Sequence, residues 1–375
     1  MTAAKAAAAG YRHWLSIVQE EMMKAYVRHE MGVVGWMEKP DPVCDPDGVI
    51  CRPLALCPCS SDVHTAWEMD GDYLKDITLG HEALGEIIEA GPLVRDFKVG
   101  DKVIVPCTTP TYRHPDIQDG PDQDAGGLFM GICYSNYADG TMAEKFTVRS
   151  ADMNLCKLPE GLSYEKAIMI TDMMTTGFHG AEMAQIKFGD AVVVFGIGPV
   201  GLMAVAGAKL MGAGKLIAVG TRPNCVRIAK EYGATDIVSY KEGDIVEQIM
   251  QLTGGRGVDA AIVAGGNADT LNQAYGVVRC GGHMANLNVL TGIDKISFGF
   301  LESGAGFLGH KTVVGGLCPG GRRRAERLTS MVVADRVDPS LLVTHTFHGL
   351  DKLPEALQLM KDKPRDLIKP IVYAD

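Results

Sequence analysis

The stretch Ala191-Val192-Val193-Val194-Phe195-Gly196-Ile197-Gly198-Pro199-Val200-Gly201 decides the fold. Its valines and phenylalanine predict a buried strand. Gly196, Gly198 and Gly201 then give the spacing G-x-G-x-x-G, and Val200–Met211, rich in Ala, Leu and Met, predicts a helix. Strand, glycine turn and helix make the dinucleotide-binding fingerprint. In it, the turn through Gly198, Pro199 and Val200 brings backbone close to a pyrophosphate seated on the helix N-terminus. A competing reading exists, because Ala191–Ala208 holds no charged residue and just reaches the length of a membrane span. Three glycines and Pro199 in its middle argue against one continuous helix, and Asp190 and Lys209 bound it tightly. No membrane partner is expected.

Downstream, Lys215–Gly220 is the second strand. NAD-binding sheets usually end this strand with an acid that holds the ribose 2′-hydroxyl. Here the place holds Gly220-Thr221-Arg222, a hydroxyl and a planar cation suited to phosphate, which favours NADP(H). Arg222 as a plain surface charge stays open. Tyr240 follows the strand Asp236–Ser239 and is positioned to flank adenine. A helix over Ile245–Thr253, a strand over Gly257–Ala264, a helix over Leu271–Val278 and a strand over His283–Val289 complete a doubly wound parallel sheet. The arginines 322, 323, 324 and 327 read as a solvated helix face, and Lys363 alone is ambiguous.

Upstream the chain is β-rich, with short strands between turns. Within Leu56–His64 stand Cys59, Ser61 and His64, and Gly80-His81-Glu82 opens an apolar run. Thiolate, imidazole and carboxylate are zinc donors, which makes Cys59, His81 and Glu82 candidates. A buried thiol and a core histidine are the alternative. Leu162–Met174 predicts a helix with Asp172 near its end, where an Asp serves as a ligand or as a cap. The polar segment Thr108–Asn136 is a long loop. Residues 1–22 are Ala-rich and carry no acid before Glu20; they read as an extra surface helix or, alternatively, an organellar targeting segment.

At 375 residues the chain accommodates two domains. A net charge of −10 disfavours a nucleic-acid partner. Ten scattered cysteines without a C-x-x-C pair point to free thiols in a reducing compartment such as the cytoplasm, and against a four-cysteine structural zinc lobe.

The motifs Gly80–Gly91 (G-H-E-x-x-G-x5-G), Thr171–Gly180 (T-D-M-M-T-T-G-F-H-G), Gly196–Gly201 and Gly315–Gly321 (G-G-L-C-P-G-G) occur together and in this order. From about Met23 onward the chain resembles the zinc-containing medium-chain alcohol dehydrogenases, and within them the NADP-dependent secondary alcohol dehydrogenases of anaerobic bacteria. The resemblance implies an α/β protein. A GroES-like β-rich catalytic domain spans residues 23–172 and 318–375, and a Rossmann domain spans 173–317, after a 1–22 extension. It implies one catalytic Zn2+ on Cys59, His81 and Asp172, with Glu82 a close or exchangeable fourth ligand. A second carboxylate would make the site anionic and less acidic, so Glu82 is expected to leave when substrate binds. Ser61 and His64 match a proton path. Gly220, Thr221, Arg222 and Tyr240 match the 2′-phosphate and adenosine pocket; Thr176 falls near the nicotinamide and Lys363 near the pyrophosphate. Relatives of this kind are homotetramers acting on small alcohols and ketones. The pocket departs from the pattern. Ile132 replaces the usual Trp, Val289 the usual Tyr and Cys107 the common Ala, while Leu317 and Cys318 match. Ser303–Gly309 carries one extra residue and lacks the usual Trp. A roomier pocket, open to longer or branched ketones, is expected. The rival readings are a zinc-free NADPH quinone or enone reductase of the same superfamily, and a non-catalytic NADPH-binding protein; the Cys/His/Asp set argues against both.

Overall fold

The structure, a computed structural model, describes residues 21–111, 134–289 and 309–375. Ile132, residues 303–308 and nearly all of the N-terminal extension lie outside them.

The fingerprint strand is Ala191–Phe195, and the helix after it is Pro199–Leu210. That strand is central in a six-stranded sheet whose order is Asp236–Val238, Lys215–Val219, Ala191–Phe195, Val258–Val263, Val278–Asn286, Thr312–Gly315. Every pairing is parallel. Numbered along the chain this is 3-2-1-4-5-6, the doubly wound order whose reversal point opens a crevice at the strands' carboxyl ends. Alternation buries both faces: Val192 and Val194 join one core cluster, Val193 and Phe195 another. Strands covered on both sides read as continuous apolar runs, which is why this one was legible. Among the described residues no helix is long and apolar enough to cross a membrane.

The second sheet, of seven strands, joins distant parts of the chain. Val343–His348 pairs in parallel with Lys369–Tyr373, which pairs antiparallel with Val49–Leu56. Ala83–Ala90, Lys102–Val105 and Cys156–Lys157 extend the ladder, and Phe146–Val148 pairs on Val49–Leu56. A hairpin of Met22–Glu30 and Val33–Pro40 with Ile77–Thr78 forms a third, small sheet. One core cluster runs from Cys57, Cys59 and Leu84 through Met169 and Met174 to Val192 and Val194, so the two large sheets share packing.

Two local elements differ from expectation. The helix over Leu162–Met174 is Tyr164–Met169, then a π-helical turn Ile170–Met174, then helix Thr175–Met183, without a break. Asp172 therefore lies inside continuous helix, with no helix start for it to cap. A π-turn widens the coil locally, a device frequent at functional sites. A short helix, Ser60–Trp67, went unforeseen; it begins directly after Cys59.

Candidate active site

Cys59 is the N-cap residue of Ser60–Trp67. Its backbone N–H donates to Asp62 Oδ2 at 2.8 Å. The other oxygen of the same carboxylate accepts from Gly80 N at 3.1 Å and lies 3.2 Å from His81 Nδ1. Asp62, fully buried, thus ties the Cys59 turn to the His81 turn and leaves His81 Nε2 facing inward. From the π-turn, Asp172 Oδ2 comes within 3.7 Å of Cys59 Sγ and 3.5 Å of His81 Nε2. Thr176, one helical turn on, donates to Asp172 Oδ1 at 2.6 Å and fixes the carboxylate. Glu82 Oε1 is 3.8 Å from His81 Nε2. One donor atom from each of Cys59, His81, Glu82 and Asp172 lies within 4.8 Å of the others.

This donor set fits a zinc ion in chemistry and in electrostatics. Burial pushes the Cys59 thiol up, but the Lys369 charge and the His81 hydrogen bond outweigh it, and the net shift is downward. Burial likewise raises Asp172, yet His81 and Lys369 bring it to about 2. Burial lowers His81, and Asp62 and Asp172 overcome that and raise it. The carboxylates that raise His81 equally favour a cation at its inward nitrogen, and cation binding displaces protons from such donors. Glu82 Oε2 is buried without a hydrogen-bond partner, as an oxygen aimed at a cation would be.

Lys369 escaped the sequence reading. It lies on the last strand, is fully buried, and its Nζ donates to Glu82 Oε1 at 2.6 Å. Burial lowers the Lys369 pKa, but Cys59 and Glu82 outweigh it and keep the ammonium charged. The expectation that two carboxylates would leave the site anionic omitted this counter-charge. A single lysine opening a short strand near the chain's end carries no local signal. Asp62 did carry one, the N3 carboxylate of a capping arrangement beginning at Cys59.

The dinucleotide cleft lies at the end of the six-stranded sheet. Gly196, Gly198, Gly220, Thr221, Arg222 and Tyr240 line it, in a volume of about 280 Å³, with the unforeseen Gly265, Gly266, Thr270 and Gln273. At Gly201 a Cβ would stand 1.8 Å from Gly196 O, so the helix can approach the turn only without a side chain. At Gly198 a Cβ would meet nothing closer than Arg222 Nη2 at 3.8 Å, so the space over that backbone is open to a phosphate group. Thr221 Oγ1 donates to Tyr240 OH at 2.7 Å, and Arg222 Nη1 donates to Leu367 O at 2.6 Å. Pro199, Val200 and Gly201 form the helix start behind this wall, and Lys363 caps the helix Leu353–Asp362 in a left-handed conformation, away from the lining.

With these two sites in view, two family profiles match: the alcohol dehydrogenase GroES-like domain over residues 45–160 and the zinc-binding dehydrogenase family over 199–332. The NADP-dependent isopropanol dehydrogenase of Thermoanaerobacter brockii is 55% identical, over 93% of this chain and 99% of its own length. That of Clostridium beijerinckii is 54% identical over the same shares. The chain belongs to the zinc-binding alcohol dehydrogenases. In structure it is similar to zinc dependent alcohol dehydrogenase 2 of Streptococcus pneumonia, with a TM-score of 0.83, 28% identity, and 94% and 99% of the two chains covered.

In this alcohol dehydrogenase the remaining expected residues divide. Ser61 Oγ lies 3.1 Å from His81 Nε2, at the donor cluster. His64, three residues on, is partly exposed and its Nδ1 pairs with Glu68. Cys107 and Cys318 meet beside Asp172, their Sγ atoms 3.5 Å apart, with partly buried Leu317 adjoining. Val289, expected in the pocket, is 70% exposed at the edge of the described residues. The expected free thiols are found: every described cysteine is unpaired.

Proposed function

We propose that this protein interconverts secondary alcohols and ketones with a catalytic Zn2+ and NADP(H). The observation that carries the reading is the buried Cys59–His81–Glu82–Asp172 cluster, in a chain more than half identical to NADP-dependent isopropanol dehydrogenases. When bound, zinc supplies Lewis acidity toward the substrate oxygen and the nicotinamide supplies or takes the hydride. Cys59, His81 and Asp172 hold the cation, and Glu82 is a fourth donor restrained by Lys369. Asp62 sets the His81 tautomer, as carboxylates behind metal-bound histidines do. Thr176 holds Asp172 in place. Ser61 takes the hydroxyl proton of the substrate, and His64, partly exposed on the same helix, passes it to water. Thr221 and Arg222 hold the 2′-phosphate, and Tyr240 flanks the adenine. Cys107, Leu317 and Cys318 shape the substrate pocket, which we expect to admit longer or branched ketones.

The same reading places the catalytic domain at 23–172 and 318–375 and the cofactor domain at 173–317, in a cytoplasmic homotetramer. The test is NADPH oxidation with 2-butanone before and after chelation, with NADH in parallel. Chelator-sensitive, NADPH-selective turnover is expected. Activity surviving complete removal of the metal would overturn the zinc mechanism in favour of a reductase.

A further inference from the structure

Cys107 and Cys318 stand beside the donor cluster, yet the reaction proposed above gives neither thiol a step. Their sulfurs are 3.5 Å apart, and one donor atom each of Cys107, Cys318 and Asp172 lies within 4.8 Å of the other two. The three residues are 5%, 2% and 9% exposed. Both thiols sit on anchored backbone. Cys107 N donates to Thr171 O at 2.9 Å, beside Asp172. Thr108 Oγ1 donates to Cys318 O at 3.4 Å, and the two segments are so close that a Cβ on Gly320 would lie 2.0 Å from Thr108 O.

We propose that Cys107, Cys318 and Asp172 form a second, inhibitory site for a thiophilic divalent cation, Zn2+ or Cd2+, sharing Asp172 with the cluster of Cys59, His81 and Glu82.

Geometry separates this from a disulfide. A tetrahedral cation with sulfur bonds of about 2.3 Å sets its two thiolates about 3.8 Å apart. The observed spacing needs to open by only about 0.3 Å to meet that. A disulfide needs about 2.05 Å, a closure of about 1.5 Å between two anchored segments. Chemistry agrees. A cation exchanges directly for the thiol protons. Two thiolates then balance one divalent charge, Asp172 gives a third ligand, and a fourth position stays open to water. Asp172, bridging two cations, donates less to each, and the second cation occupies space between the thiols. That inhibitory consequence rests on the proposed function; the site itself rests only on the three side chains.

The test uses the zinc-loaded full chain with the exposed thiol Cys280 replaced by Ser throughout. Protein is equilibrated with Cd2+, dialysed, and its cations counted by mass spectrometry, while the ultraviolet thiolate-to-cadmium band is recorded. Two cations per chain are expected, falling to one in Cys107→Ala and, as a second variant, Cys318→Ala. The band should shrink from three thiolates' intensity to one. Cd2+ should also inhibit the parent at least tenfold more strongly than Cys107→Ala. One cation per chain, kept in Cys107→Ala and Cys318→Ala but lost in Cys59→Ala, would overturn the proposal. The converse pattern, lost in Cys107→Ala and kept in Cys59→Ala, would support it and overturn the catalytic cluster instead.

Discussion

The dinucleotide cleft and the donor cluster are built in opposite ways. Six of the cleft's lining residues, Gly196, Gly198, Gly220, Thr221, Arg222 and Tyr240, come from consecutive strand ends of one parallel sheet, and much of what they offer is backbone. The cluster draws Cys59 from a helix cap, His81 and Glu82 from the lead into a strand, Asp172 from a π-turn and Lys369 from the last strand. The first site follows from local spacing. The second gains its counter-charge because the last strand, Lys369–Tyr373, pairs with Val49–Leu56. The cleft should therefore answer to backbone and local charge, and the cluster to single buried charges.

The largest effect is expected at the cluster. Cys59→Ala should lose the bound cation and lower turnover about a thousandfold, since several kcal/mol of charge stabilisation vanish at about 1.4 kcal/mol per decade. Metal content and NADPH oxidation check it, and near-normal turnover would break the comparison at its root.

Next comes Lys369→Met, which leaves Glu82 without its partner in a fully buried site. A loss of about 3–5 kcal/mol of stability is expected, measured by urea unfolding. Adding Glu82→Gln should recover most of it, because the uncompensated charge is then gone; an unrescued double variant would mean that lost packing, not charge, explains the effect.

In the cleft, Gly201→Ala forces a Cβ onto Gly196 O and should cost about 2–3 kcal/mol together with NADPH affinity. Thermal unfolding with and without cofactor reads both. Arg222→Ala should weaken NADPH binding about tenfold to fiftyfold, within the range of charge-assisted hydrogen bonds, and leave NADH nearly unchanged. Equal losses for the two cofactors would return Arg222 to a structural role, through its bond to Leu367 O.

The smallest effect concerns Asp259, which accepts from Ala191 N at 2.9 Å and from Arg256, and pairs with Arg279. Burial raises its pKa, but the Arg279 hydrogen bond and the Ala191 N–H overcome that and hold it below the ordinary value. A depressed carboxylate contributes stability in full above its unfolded value of about 3.9 and loses it as pH falls through the folded one. Asp259→Asn should cost about 1–2 kcal/mol at pH 7, and the gap to the parent should narrow below about pH 4 in urea titrations. A gap independent of pH would assign the effect to packing.

What sequence alone determined is whatever depends on near neighbours. The run Ala191–Phe195, the glycine spacing after it and the absence of an acid at Gly220–Arg222 specify a parallel sheet and a site of stated charge, because strand burial and turn geometry act over a few residues. Family resemblance then singled out Cys59, His81, Glu82 and Asp172; spacing by itself left a buried thiol and a core histidine as an equal reading of the first two, and favoured a helix cap for Asp172. Tertiary structure decided the rest. That Asp172 sits within unbroken helix depends on a π-turn that no periodicity announces. That Glu82 is neutralised depends on Lys369, 287 residues away. That Cys107 meets Cys318 depends on two loops locked across a glycine. Electrostatic energy in a low-dielectric interior is set by distance in space, and only the folded chain fixes that distance.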